Sequence, residues 1–406
     1  MNTGKVAVSG WLLRPVTWHA WAALGAVLLA AVLRVGLRVP DGGMDNAIVV
    51  RAADAWLEGR SPYADRHFLY LPGAVLAAVP QALLPQSVVR FLVPAGVVGS
   101  LVLGWGCALR IHGVAWRSRF AVIGLLALAV GFAPFGHLVD LGNWTVASAA
   151  ALPLALLFVC RGRWVAAGLV IGAAVAVKPL LASVVLLFVF ARRWRALGAV
   201  VLVPAVVSAG AALAMPDPAG FFTRTLPFLL RGDDSFVRLY EASPAAVLPR
   251  LGVPQGAASL LALVAAGAGL WCAWRRWRGG GGPGEPGELR VVETAVMLML
   301  AAFLVSRPSY DHYLLVVVPL LLAGALVPGA VARRKWCWLA LVPQIPGFTW
   351  PWLELGTRRA FRDCVTLCVL AFTVARSCAR PRAVTLDGAE QPEVAESAVP
   401  VSRSAF

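Results

Sequence analysis

The sequence predicts an all-α polytopic membrane protein. Three observations carry that prediction. Of its 406 residues, 60% are hydrophobic and only 14% charged. Apolar runs of about 20 residues recur, the length a helix needs to cross about 30 Å of hydrocarbon at 1.5 Å per residue. The loops between them are short and arginine-rich, the pattern that orients spans in a bilayer. Those loops account for the net charge of +16, so the charge is no sign of a nucleic-acid partner. The seven cysteines (Cys107, Cys160, Cys272, Cys337, Cys364, Cys368, Cys378) lie mostly inside or at the ends of apolar runs, with no CxxC pair. They read as small core residues rather than a disulfide framework or a metal site.

A cytoplasmic N-terminus gives a consistent alternation. The run near 17–38 follows Lys5 and Arg14 and lacks a small-residue cleavage site, so it reads as an uncleaved first span. An outer segment, 39–87, follows. A second span, 88–109, returns to the basic loop RIHGVAWRSR, a third runs outward to His137, and a fourth returns from Asn143 to RGRW. The stretch 164–191 lies between two basic loops, RGRW and ARRWR, and must go out and come back. It predicts two short helices with Lys178–Pro179 near the turn. The span 196–214 leads to a large outer loop, 215–254, and 255–274 returns to a flexible Gly/Pro-rich cytoplasmic linker, 275–290. Spans at 291–305, 313–331, 336–353 and 362–376 complete about 10–12 in a single domain, 1–378. The tail 379–406 is polar and reads as disordered and cytoplasmic. The run LGTRRAFRD, 355–363, is basic yet falls outside, against the charge rule.

The segment 41–72 holds five of the chain's twenty acids: Asp41, Asp45, Asp54, Glu58 and Asp65. Ionisable groups at a membrane edge are costly, which makes this first outer segment a functional candidate. Within it, Asn46–Glu58 is amphipathic, with Arg51, Asp54 and Glu58 on one face and Ile48, Val49, Ala52, Ala53, Trp56 and Leu57 on the other. It predicts a helix lying in the interface plane and ended by Gly59. Phe68–Leu84 is apolar but short and bounded by prolines, and predicts a helix partly immersed from the outer face.

The residues that could carry chemistry each admit a plain reading. Asp45 stands where the interfacial helix begins, either as its N-cap or as a general base at the outer edge; the two are compatible. Lys178 is one of three lysines and lies far from the basic loops. It either snorkels to the interface or binds an anionic headgroup, since a lysine within the membrane costs about 2.5–3.5 kcal/mol unless it finds a partner or water. Asp311 and His312, in SRPSYDHY, either bind a phosphate or sugar hydroxyl or cap a helix, with Arg307 nearby. Arg224, Arg231 and Arg238 either bind phosphate or pair with Asp233, Asp234 and Glu241. His137, Asp140 and Asn143 form a minor polar cluster on the same side. No Walker A or glycine-rich phosphate loop is present, and no cytoplasmic segment is long enough for a nucleotide-sugar domain. A lipid-linked phosphate donor fits: tail in the bilayer, head at the cations, reacting atom near the carboxylate. A transporter or flippase of a lipid-linked or small anionic substrate is the rival reading. It also explains broken helices and buried charge, but no internal repeat is evident.

Four motifs resemble those of glycosyltransferase family 87, GT-C-class membrane enzymes that use polyprenyl-phosphate-mannose. MDNAIVVRAADAWLEGRSPYAD is similar to the family's first-loop pattern, FLYLPGAVLAAVPQALLP to its Tyr-Pro-Pro segment, GLVIGAAVAVKPLLASVVLLFVFARRWRAL to its Lys-Pro block, and SRPSYDHYLLVVVPLLL to its Asp-His block. The resemblance covers about 17–378. It implies a GT-C-like fold with no cofactor and inverting transfer of a hexose, mannose above all, to a lipid or glycan acceptor at the outer face. The carry-over falls on Asp45 as base and on Lys178, Asp311 and His312. Those last three, with Arg224, Arg231 and Arg238 of the outer loop and with Tyr70, form the expected substrate-binding set, and the charge pattern places both termini in the cytoplasm. The chain departs from the family pattern at Gly73, where a second proline is usual, at Gly142-Asn143-Trp144-Thr145, where Gly-Gln-x-Asn is usual, and at EASPAAVLPRL, which replaces an Asn-rich stretch.

Overall fold

A computed structural model describes residues 3–39, 41–231, 240–279, 287–348 and 355–379. The described residues form helices joined by short turns, and none forms a strand beyond one isolated bridge between Pro15 and Ser118. The protein is an all-α, multi-pass membrane protein. Trp18–Arg38, Gln86–Ile111, Trp194–Leu213 and Gln255–Arg278 are each long and apolar enough to cross a bilayer. A bent pair, Arg119–Gly131 and Ala133–Leu141, turns by 69° at Phe132, which is extended, and Pro134 opens its second half.

Thr145–Cys160, Trp164–Val177, Pro179–Phe190 and Asp311–Leu326 are apolar but shorter. The predicted break at Lys178–Pro179 is present. Lys178 is extended, as the residue before a proline prefers, and a 3₁₀ stretch, Pro179–Val184, leads into Val185–Phe190. The centre of the bundle is Gly287–Val305, whose residues from Leu289 to Met299 are buried except Arg290, which is half-buried. It carries a buried ion pair: Arg276 Nε donates to Glu293 at 3.0 Å, and Ser377 Oγ donates to the same carboxylate. None of the seven cysteines forms a disulfide, and most are buried.

Several expected elements differ. The expected span 313–331 is a 3₁₀ turn, Asp311–Val316, then the six-residue helix Val318–Ala323 and a second turn. Pro319 and Gly324 break the ladder. At 336–353 the described part is a seven-residue helix, Lys335–Leu341, running into a turn at Pro343. The basic run 355–363 is not a loop: it is the first half of the helix Leu355–Ala379.

The first outer segment folds as Met44–Leu57 and Pro72–Ala82. Gly59, at φ 74°, follows the first of these helices. Its apolar face is packed on protein rather than laid in lipid. Val49, Ala52 and Ala53 are buried in a small core with Phe68, Tyr70, Ala74, Val75 and Ala78, and Trp56 Nε1 donates to the Ala214 carbonyl at 2.8 Å. Arg51 and Glu58 remain exposed. Desolvation, then the nearby Glu58 charge, raises the Asp54 carboxyl above its usual range.

Candidate functional site

Asp45 is not an N-cap. The cap of Met44–Leu57 is Gly43, and Asp45 lies in the first turn with its carboxylate turned inward. Backbone contact sets this position. Gly43 has φ 116°, and a Cβ there would stand 2.2 Å from the Leu141 carbonyl; Gly142 has φ 60°, and a Cβ there would stand 2.2 Å from the Gly42 carbonyl oxygen. Both positions therefore require glycine, for conformation and for space. Their contact presses the start of the helix against the turn 142–144. Trp144 Nε1 locks the pair by donating to Asn46 Oδ1 at 3.0 Å.

Asn143 stands at the centre of the resulting network. Its Nδ2 donates to Asp45 Oδ2 at 2.5 Å. Its Oδ1 accepts from the Thr145 backbone N–H at 2.8 Å and from Lys178 Nζ at 3.0 Å. Lys178 Nζ also donates to Thr145 Oγ1 at 2.8 Å. The break before Pro179 brings Lys178 here, because it ends the helix and turns the side chain into the bundle. Its ammonium also lies over two aromatic faces, 5.5 Å from the Tyr70 ring centroid and 5.1 Å from that of Tyr313. Two hydrogen bonds and two cation–π contacts offset much of the cost of a lysine at this depth. Lys178 does not snorkel.

These groups line a cavity of about 290 Å³. Asp45, Asn143, Lys178 and Tyr70 form one side. Ser306, Arg307, Tyr310 and Tyr313 form another, and Ile48, Leu69, Leu180 and Phe303 supply the apolar remainder. A mostly apolar pocket with a few convergent polar groups is the form expected of a small-ligand site. Here the charged groups are a carboxylate, Asp45, and two cations, Lys178 and Arg307.

The other expected site residues are placed differently. Asp311 and His312 are buried at 3% and 2% exposure and do not line this cavity. They stand behind its Tyr310–Tyr313 wall, where the His312 ring stacks on Tyr310. Asp311 Oδ2 meets His137 Nδ1 and the Arg359 guanidinium, the latter at 3.5 Å, and its Oδ1 accepts from the His312 backbone N–H. Arg224 is half-exposed, pairs with Asp217 at 3.2 Å and lies off the cavity. Arg231 ends a described helix, Leu226–Arg231, but its side chain lies outside the described residues, as does Arg238. Among the described residues, Arg307, which pairs with Glu241 at 3.5 Å, is the arginine that lines the cavity. Asn143 carries more than the sequence reading assigned to it: a neutral amide stands out only by its place in a small polar cluster with His137 and Asp140.

The model of glycosyltransferase family 87 matches residues 68–307. The chain belongs to glycosyltransferase family 87. The match includes Tyr70, Asn143, Lys178 and Arg307 and leaves Asp45, Asp311 and His312 outside it. Among curated relatives, an α-(1→3)-arabinofuranosyltransferase of Mycobacterium tuberculosis H37Rv is 29% identical over 55% of this chain and 53% of its own. That of Corynebacterium glutamicum is 29% identical over 50% of each. That of Mycolicibacterium smegmatis is 27% identical over 81% of this chain and 76% of its own. The chain thus spans about half the length of the first two. No solved structure matches.

Proposed function

We propose that this protein is a membrane glycosyltransferase that moves one sugar from a polyprenyl-phosphate donor to a hydroxyl of a lipid or glycan acceptor. The observation that carries the reading is the Asp45–Asn143–Lys178 network on one side of an otherwise apolar cavity. A donor with a lipid tail and a phosphate head meets Lys178 and Arg307 with its phosphate and the apolar lining with its tail.

Asp45 then removes the proton from the acceptor hydroxyl. The acceptor oxygen bonds to the anomeric carbon as the carbon–oxygen bond to phosphate breaks, so configuration inverts. The electron pair leaves with polyprenyl phosphate, whose charge Lys178 and Arg307 stabilise. A phosphate is a weak base, so a second carboxylate is not needed as acid, unlike in most glycosidases. Asn143 holds Asp45 in place by donating to its carboxylate.

Membership of the family alone favours mannose, whereas the curated relatives are named for arabinofuranose. We take arabinofuranose as the first sugar to test and mannose as the second. In the proposed orientation both termini are cytoplasmic, the single domain spans 1–378, and the cavity opens to the outer face, where a lipid-linked rather than nucleotide-linked donor is available.

Membranes containing the protein are supplied with radiolabelled polyprenyl-phosphate-arabinofuranose and, separately, polyprenyl-phosphate-mannose. The expected result is label on a new lipid or glycan product with one donor, abolished by Asp45→Ala in a protein that still inserts. Movement of either donor across the membrane without a new glycosidic bond would instead make the protein a transporter.

A further inference from the structure

A second cavity, of about 460 Å³, lies on the far side of the Asp311–His137 contact. Its polar lining is Arg34, His137, Asp140, Arg358, Arg359 and Arg362. Four guanidiniums thus converge from two separate helices of the chain. The carboxylates in reach are fewer among the described residues. Asp140 pairs with Arg34 at 2.5 Å, Asp311 with Arg359 at 3.5 Å, and Asp363 with Arg362 at 3.1 Å. The lining itself carries four arginines and one carboxylate, Asp140, with His137 beside Arg359 at 3.2 Å. The rest of the lining is apolar and includes Val130 and Phe348. Val130 belongs to the bent membrane pair and is 57% exposed, so the cavity borders the surface that faces lipid.

The basic run 355–363 has no place in the proposed topology as a charge signal. Its arginines are spaced along one helix, Leu355–Ala379, so that Arg358, Arg359 and Arg362 reach the same cavity. Arginine suits phosphate because its planar fork donates two parallel hydrogen bonds, and it tolerates low-dielectric surroundings better than lysine. A ligand matching both halves of this cavity has an anionic head and apolar tails.

We propose that this cavity is a second site, distinct from the Asp45–Lys178 cavity, and that it binds the phosphate headgroup of a membrane lipid. Arg34 and Arg358 hold the phosphate at the mouth, Arg359 and Arg362 supply positive potential behind it, and the lipid tails run along the bent helix pair. The site goes beyond the transfer reaction and does not require it. Its position next to Asp311 couples it to the wall carrying Tyr310 and Tyr313.

The test is equilibrium binding of a fluorescent phosphatidic acid to the purified full chain in detergent, with diacylglycerol of the same tails and inorganic phosphate as competitors. Binding is expected to resist both competitors and to weaken by about tenfold or more in Arg34→Gln/Arg358→Gln, the scale of one charge-assisted hydrogen bond. Arg34 closes only a part-exposed pair, with Asp140, and Arg34→Lys/Arg358→Lys, expected to retain most of the binding, controls for the fold. Lys178→Met is expected to leave binding in place. Three results would each overturn the assignment: unchanged binding in the double glutamine variant, equal competition by diacylglycerol or by inorganic phosphate, or loss of binding in Lys178→Met alone.

Discussion

Asp45 and Lys178 are held by opposite ends of one carboxamide, that of Asn143, rather than by a direct ion pair. The arrangement keeps a base and a cation close without letting them neutralise each other. A direct pair would engage both charges; the amide spacer leaves one Asp45 oxygen and one Lys178 N–H for substrate. Asn143→Ala is therefore expected to cut transfer by about a hundredfold, on the scale of two hydrogen bonds to charged groups, while the protein remains inserted. Asn143→Asp is expected to be worse, because a second carboxylate beside Asp45 raises the affinity of the pair for a proton. Initial rates on labelled donor, with Asp45→Ala as the floor, check both.

Lys178→Met is expected to separate binding from folding. Methionine fills the space between Tyr70 and Tyr313 and removes a costly charge, so the protein should be no less stable to heat. Transfer should fall to background because the leaving phosphate loses its nearest cation. Lys178→Arg is expected to rescue poorly, since a planar fork cannot replace an ammonium bonded to both Asn143 Oδ1 and Thr145 Oγ1. Thermal unfolding in detergent, measured beside transfer, checks the pair; equal loss of stability in Lys178→Met would mean the lysine serves the fold.

Gly43→Ala is expected to misplace the base. The position combines a positive φ with a backbone approach of 2.2 Å, so a methyl group must push Met44–Leu57 away from the turn 142–144. Loss of transfer together with lower thermal stability is expected. Gly59→Ala, which also has a positive φ (74°) but open space around it, should cost about 1 kcal/mol or so of stability and leave transfer largely intact. Comparing the two isolates contact from conformation.

How far this site could be read from sequence depended on the kind of residue. Asp45 and Lys178 were legible because an isolated charge in an apolar chain is itself a signal, and the helix break at Lys178 because proline cannot continue the ladder. Asn143 was visible only as part of a polar cluster, since an amide carries no such cost. Asp311 and His312 were legible as functional-looking residues but not in direction: on a 3₁₀ turn, adjacent side chains diverge, and packing against His137 and Arg359 decided where Asp311 points. The broken helices at 311–326 and 335–344 were hidden because hydropathy measures apolar length and is indifferent to whether that length is one helix.

Arg224→Ala is expected to leave transfer within about twofold. Arg224 is half-exposed, pairs with Asp217 outside the cavity, and an exposed pair is worth roughly 0–1 kcal/mol. Arg307→Ala, by contrast, removes a cavity cation and an ion-pair partner of the buried Glu241, so both transfer and stability should drop. Side-by-side donor titrations distinguish them, with a raised KM expected for Arg307→Ala alone.

Asp311→Asn tests whether that carboxylate meets substrate or positions its neighbours. Buried behind the Tyr310–Tyr313 wall, Asp311 faces His137 and Arg359, which are each about a third exposed, and its removal deprives the Arg359 guanidinium of a buried carboxylate, a loss of about 1–3 kcal/mol after screening by solvent. The expected signature is a clear fall in thermal stability and a lower kcat with donor KM unchanged, because Lys178 and Arg307 are untouched. A donor KM raised as far as in Arg307→Ala, in a protein as stable as the parent, would instead put Asp311 in contact with the donor.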